Sequence, residues 1–152
     1  MRKFVVGCDN AAVDMKDLLK AFLEKQGVEV EDVGCFSADD PTNYPTIAEK
    51  ACRLIQESGF EKRGVLVCGT GIGMCMTANK CRGIRAAVGH DIFSARRSIL
   101  SNDGNVICFG ARVIGPELAK AILGEWMTLE YIDGPSTPKV KEIIALEEKN
   151  MR

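Results

Sequence analysis

The chain has 152 residues, one ordinary domain's worth, with 46% hydrophobic and 27% charged residues, which excludes intrinsic disorder. Lys and Arg total 20 against 21 Asp and Glu, so no global positive field holds a polyanion and nothing marks a nucleic-acid binder. The apolar runs fall far short of the roughly 20 residues needed to cross a bilayer. Asp9 and Asn10 cut off the short run behind Arg2-Lys3 before it can act as a secretory signal.

Lys3–Cys8 reads as a first strand. Met15, Leu18, Leu19, Phe22 and Leu23 then recur on one helical face, which Gly27 ends. Val28–Val33 alternates with period two and reads as a second strand, and residues 34–44 have loop composition. Pro45 suits the first turn of a helix carrying Ile47, Ala48, Ala51, Leu54 and Ile55 inward. Gly64–Cys68 is continuously apolar, as in a strand covered on both faces. After a glycine-rich turn the pattern predicts a helix from about Met74 to Lys80, then a strand at Arg85–Val88. Asp91 caps a helix with Ile92, Ala95 and Ile99 inward. Asn105–Phe109 is the fifth strand, and Gly115-Pro116 opens a helix with Leu118, Ile122 and Trp126 inward. A last amphipathic segment, Lys139–Lys149, follows Gly134-Pro135.

This alternation predicts a single α/β domain over residues 1–152, three-layered and Rossmann-like, with an open five-stranded parallel sheet and a C-terminal helix. The tail, about residues 136–152, is free to pack on its own domain or on a partner subunit. Ligands of such sheets bind beyond the carboxyl ends of the strands, at a switch in strand order. The seven cysteines form no C-x-x-C pair, and His90 is the only histidine. Reduced thiols of a cytoplasmic protein and no metal site are expected.

Cys68-Gly69-Thr70-Gly71-Ile72-Gly73 is the most informative stretch. Glycines at alternate positions let the backbone curl and aim successive N–H groups at one point, a receptor for a phosphate or a developing oxyanion. The spacing is neither the dinucleotide fingerprint nor a P-loop. Cys68 stands at its mouth, where a helix N-terminus favours a thiolate, and Thr70 adds a hydroxyl. A base, a hydroxyl and an oxyanion hole in one turn suit proton abstraction next to a carbonyl. Asp9 holds a substrate hydroxyl or caps the first helix. Tyr44 walls the pocket or anchors its loop. Arg112 clamps a phosphate or makes a surface ion pair. His90-Asp91 has the look of a catalytic pair, although an ordinary helix start accounts for it.

Across essentially the whole chain the sequence resembles the ribose-5-phosphate isomerase B/galactose-6-phosphate isomerase family. The resemblance rests on Gly7-Cys8-Asp9, Tyr44-Pro45, the Cys68–Gly73 turn, Gly83-Ile84-Arg85-Ala86-Ala87 and Gly110-Ala111-Arg112-Val113-Ile114-Gly115. It implies a homodimer or dimer of dimers with shared active sites, and cofactor-free, metal-free aldose–ketose isomerisation of a small sugar phosphate through a cis-enediolate. It maps the base onto Cys68 and the assisting hydroxyl onto Thr70. The N–H groups of Gly69, Gly71 and Gly73 would hold the enediolate oxygen, Asp9 and Tyr44 the sugar hydroxyls, and Arg112 the phosphate, with Asn102 entering from the partner. The alternative base, a glutamate, is replaced here by Met74.

The sequence departs from the family pattern at Asn10 and Ser101, where histidines are usual, and at Pro135 and Lys139, where phosphate-binding arginines are usual. Neither Asn nor Ser shuttles a proton near neutral pH as His does, and Lys is only a point charge. A ribose-5-phosphate isomerase B type of reaction is therefore expected with a shifted substrate: a tetrose or hexose phosphate, or a sugar acid. A sugar-phosphate-binding module that has lost turnover is the competing reading.

Overall fold

The computed structural model describes residues 2–151. Its strands are β1 (Phe4–Cys8), β2 (Val30–Asp32), β3 (Arg63–Cys68), β4 (Ala86–Val88) and β5 (Val106–Gly110). They form one parallel sheet in the order β2-β1-β3-β5-β4. The apolar runs at β1, β3 and β5 are buried throughout and occupy the middle, whereas β2 and β4 are three-residue, half-buried edges. Longer buried apolar runs thus mark the central strands, and shorter, half-buried ones take the rims.

Helices cover both faces, which makes the expected three-layer α/β architecture. On one side lie α1 (Val13–Lys25), α4 (Ile92–Leu100) and α5 (Pro116–Trp126), whose Leu19, Ile99 and Trp126 join Phe4, Val65 and Phe109 in one core. On the other lie α2 (Tyr44–Glu57) and α3 (Ile72–Ala78), whose Ile47, Ile55 and Met74 pack with Leu66 and Cys108. Pro45 and Pro116 stand in the first turns of their helices, and Asp91 accepts Ser94 N–H at 2.7 Å as the N-cap of α4.

Three expectations need correction. Ile92 and Leu118 do not point inward; both are exposed. The buried stripe of α5 is Ala119, Ile122, Leu123 and Trp126, a wider apolar face than the i+4 row from Leu118. Helix α3 begins at Ile72 and ends at Ala78, because the glycine turn itself leads into the first helical turn.

The first helix also buries a cation. Lys16 is fully enclosed; its Nζ lies 2.9 Å from Asp32 Oδ2, donates to Cys35 O at 2.8 Å, and sits over the Phe36 ring. An enclosed ammonium survives only when paired in this way. The arrangement ties the end of β2 and the start of the 33–43 loop to α1.

The last helix, α6 (Thr137–Asn150), is thinly attached. Only Val140 is buried, while Glu147 Oε1 accepts Gly83 N–H and Arg82 donates to Met151 O. Among the described residues no helix is long and apolar enough to cross a membrane.

Candidate active site

Sheet order places the site. The connections from β1 and β3 leave toward opposite faces, since α1 and α3 lie on different sides of the sheet. Their carboxyl ends therefore open into a crevice, with Cys8-Asp9 on one wall and Cys68–Gly73 on the other.

The turn after β3 is held from below by β5. Ala111 N–H donates to Cys68 O at 2.9 Å and Arg112 N–H to Gly69 O at 3.0 Å. Gly71 has φ +79°, and a Cβ there would lie 2.9 Å from the Phe109 carbonyl carbon. A Cβ on Gly110 would meet the Thr70 backbone at 2.6 Å. Turn and β5 rim are thus stacked backbone on backbone, and no side chain larger than hydrogen fits between them.

Cys68 is nearly enclosed, with its Sγ accepting Gly71 N–H at 3.1 Å. Helix α3 spans only seven residues, so the sulfur meets one directed N–H rather than the macrodipole of a long helix. Thr70 is exposed; its Oγ1 accepts Ile72 N–H at 3.3 Å. Of the three N–H groups expected to hold an oxyanion, that of Gly71 is therefore committed to sulfur, which leaves those of Gly69 and Gly73.

The first residue of α2 closes the crevice. Tyr44 lies so close over Gly73 that a Cβ there would sit 2.5 Å from the ring. Of the two readings for Tyr44, the wall is the one this packing supports. Asp9 Oδ1 accepts Ala11 N–H at 3.0 Å, forming a turn ahead of α1, and the N-cap of that helix, Ala12, has no side-chain cap. Arg112 is exposed, its guanidinium beside Gly69, and no carboxylate pairs with it among the described residues. The surface-ion-pair reading of Arg112 has no support.

Cys68, Thr70, Gly69, Gly71, Gly73, Tyr44, Asp9 and Arg112 thus converge. Asn10 borders them, but its Nδ2 donates to Asp40 O at 2.9 Å and fastens the 36–43 loop. Ser101 and Asn102 stand elsewhere. They follow α4, which runs back to the amino ends of the strands, and Ser101 Oγ accepts from Arg97. From there to the Gly110 end of β5 the strand climbs about 3.3 Å per residue, too far for either side chain to reach its own Cys68. Lys139, on the first turn of α6, is exposed and forms no ion pair among the described residues.

Two features escaped the sequence reading. Lys16 occupies a position flanking the apolar stripe of α1, and an acidic partner in the next strand is the signal that could have exposed it. The bond from Gly110 to His90, a residue read from the sequence only as a pair with Asp91 or a helix start, is the other: the His90 Nε2 accepts Gly110 N–H at 2.7 Å and its ring stacks on Phe109. Burial lowers its pKa from the usual value, against the opposing pull of Asp91. Among the described residues no cluster of three or more His, Cys, Asp or Glu could hold a metal ion.

Residues 4–143 match the family model for ribose/galactose isomerases. The chain is similar to a D-erythrulose-4-phosphate isomerase of Pectobacterium atrosepticum, 46% identical over 94% of this chain and 93% of that one. It is also similar to ribose-5-phosphate isomerase B of Escherichia coli, 40% identical over 98% and 99%. Among solved structures, ribose-5-phosphate isomerase B of Clostridium thermocellum superposes with a TM-score of 0.92 at 35% identity, covering 97% of this chain and 98% of that one.

Proposed function

The chain belongs to the ribose/galactose isomerase family, and from that premise we propose that it interconverts the aldose and ketose forms of a four-carbon sugar phosphate, with Cys68 as the base. The observation that carries the reading is the Cys68 sulfur at the mouth of the glycine turn, held as an acceptor by Gly71 N–H, with the Arg112 guanidinium beside that turn.

In the direction from aldose to ketose, the Cys68 thiolate takes the proton from C2. The electron pair of that C–H bond moves into a C1–C2 double bond, and the carbonyl π electrons move onto O1. The N–H groups of Gly69 and Gly73 face that developing charge, and the hydroxyl of Thr70 donates to O1. Returning the proton from sulfur to C1, while the O2 proton passes to O1 directly or through solvent, gives the ketose. Donors fixed before the reaction need no reorganisation as charge develops. Asp9 and Tyr44 hold the sugar hydroxyls, and Arg112 the phosphate. Ser101 and Asn102 come from a second copy of the chain, because neither reaches the crevice of its own.

Chain length follows from protonation. A cyclic pentose must be opened by a group that moves protons between the anomeric hydroxyl and the ring oxygen, work suited to an imidazole. The only imidazole is His90, and its Nε2 is engaged by Gly110 N–H. Asn10 is engaged by Asp40. A tetrose 4-phosphate has no free hydroxyl with which to close a furanose ring, so it needs no opener. The similarity to an enzyme named for D-erythrulose 4-phosphate supports the same choice.

The test is kcat/KM for erythrose or erythrulose 4-phosphate against ribose 5-phosphate, together with proton exchange at C1 and C2 in deuterated water. The tetrose phosphate should be preferred at least tenfold. A clear preference for ribose 5-phosphate overturns the chain-length assignment, and absence of exchange with every sugar phosphate overturns the isomerase itself.

A further inference from the structure

In the β4–β5 ladder, alternate N–H groups of β5 face β4: Val106 N–H points to Arg85 O, and Gly89 N–H returns to Cys108 O. By the period of a parallel ladder the next rung would run from Gly110 N–H to the chain following Val88. That chain has already turned away toward Asp91 and the start of α4. Gly110 is buried, so its N–H would be left without a partner, which native structures avoid. The imidazole of His90 fills the gap, its Nε2 accepting Gly110 N–H at 2.7 Å while its ring stacks on Phe109 at 6.4 Å between centroids. A side chain thus completes the sheet at the rung lying under the glycine turn.

We propose that His90 is a positioning residue for the isomerase site, a side-chain rung that fixes Gly110 and, through it, Thr70 and the Cys68–Gly73 turn. The inference rests on the isomerase reading for its effect on turnover, and on geometry alone for its effect on Gly110. The linkage is direct contact. Gly110 and Thr70 are so close that a Cβ on Gly110 would lie 2.6 Å from Thr70 C, and one on Gly71 would lie 2.9 Å from Phe109 C. Any drift of the 109–110 backbone moves the hydroxyl of Thr70 and the N–H of Gly71 that holds the Cys68 sulfur. Donors aimed at a developing charge lose their effect when displaced by a fraction of an ångström. The imidazole acts here only as a neutral acceptor at Nε2, so its proton resides on Nδ1, the tautomer fixed by the partner of the other nitrogen.

The reading makes a chemical distinction that substitution can test. Glutamine carries its amide oxygen as many bonds from Cβ as Nε2 is in histidine, and asparagine stops one bond short. His90→Ala and His90→Asn should lower kcat by about tenfold or more, with KM within about twofold, as expected for misplaced transition-state donors. His90→Gln should recover most of the loss. Hydrogen exchange at the Gly110 amide should be slow in the wild type and His90→Gln, and fast in the other two.

A His90→Ala variant with unchanged kcat overturns the proposal. So does a His90→Gln variant as slow as His90→Ala, which would mean that the imidazole itself moves a proton. So does an equal fall in Tm across all three, which would make His90 a stability element only. If the wild type turns over no sugar phosphate, the isomerase reading fails, and the exchange pattern at Gly110 still decides whether His90 is the rung.

Discussion

Cys68 and Cys108 bring the same functional group into one apolar cluster, and their surroundings divide their chemistry. Cys68 meets a backbone N–H at the crevice; Cys108 is enclosed, and the neighbouring Cys75 thiol together with burial pushes its pKa well up. Cys68→Ser keeps the volume and replaces the thiol with a hydroxyl that is scarcely ionised at neutral pH. It should lower kcat about 10²-fold or more, the contribution of a positioned base, with Tm unchanged; near wild-type exchange of the C2 proton would remove Cys68 from the mechanism. Two other thiols lie at half-buried positions and ionise early. The Cys108 thiol hydrogen-bonds Cys75 and brings it down to about 7, helped by Val88 and Asn79 and against burial. The Cys52 thiol does the same for Cys81, also to about 7. Because the thiolate is the reactive form, alkylation of both by iodoacetamide should rise with pH and be half-maximal near 7, ahead of Cys8, Cys52 and Cys108. Half-maximal labelling near 9, the ordinary thiol value, would show that these hydrogen bonds do not form in solution.

At the scale of elements the glycine turn separates two demands that one motif makes together. Gly71 is needed for shape: its φ is +79° and a Cβ would press on the Phe109 backbone at 2.9 Å, which cannot yield cheaply. Left-handed geometry costs an ordinary residue roughly 1–2 kcal/mol, and overpacking typically adds about 1–3. Gly71→Ala should therefore lower Tm by about 5 °C or more, at roughly 2–4 °C per kcal/mol for a chain of this size. Gly73 is needed for the crevice: the atoms nearest a Cβ there all belong to the Tyr44 side chain, at a residue exposed enough to swing aside. Gly73→Ala should leave Tm nearly intact and lower kcat/KM about tenfold by displacing Tyr44, so thermal melts and kinetics on the two variants should diverge; if both lose Tm equally, the distinction fails. The turn, the central strands and the helix starts at Pro45, Asp91 and Pro116 were legible because each is encoded locally, by glycine spacing, continuous hydrophobicity or capping chemistry. Strand order was not, because nothing in Arg85–Val88 or Asn105–Phe109 records which of the two lies next to β3. For the same reason the role of His90 was invisible: it depends on where β4 ends relative to β5, a tertiary register that no local pattern carries. Leu118 was misread because a single i+4 row was preferred to the broader stripe through Ala119 and Leu123.

At the scale of the whole molecule, one chain leaves both a helix and a set of side chains without employment. Helix α6 buries only Val140, while Ile143 and Leu146 remain 46% and 58% exposed. A cavity of about 430 Å³ opens between that helix and the β4 edge, lined by Ile84, Ala86, Ile143, Leu146 and Asn102. Asn102 thus belongs to a largely apolar recess at the opposite end of the sheet from Cys68. A two-fold pairing, in which the same patch is used by both copies, would cover α6 and deliver Asn102 of each copy to the crevice of the other. Sedimentation at micromolar concentration should give about twice the 16.5 kDa of one chain, and Leu146→Asp should shift it toward monomer with loss of turnover. Complementation distinguishes a shared site from mere association. Cys68→Ser and Asn102→Ala should each be nearly inactive alone. When the two are unfolded together and refolded in equal amounts, half the dimers should be mixed on statistical pairing, and each mixed dimer holds one crevice with both residues intact. Activity should therefore return to about a quarter of the wild type if the site is built across a two-fold interface. If Asn102 serves the crevice of its own chain, every crevice in the mixture keeps its defect and no activity returns; if it serves none, Asn102→Ala is active alone.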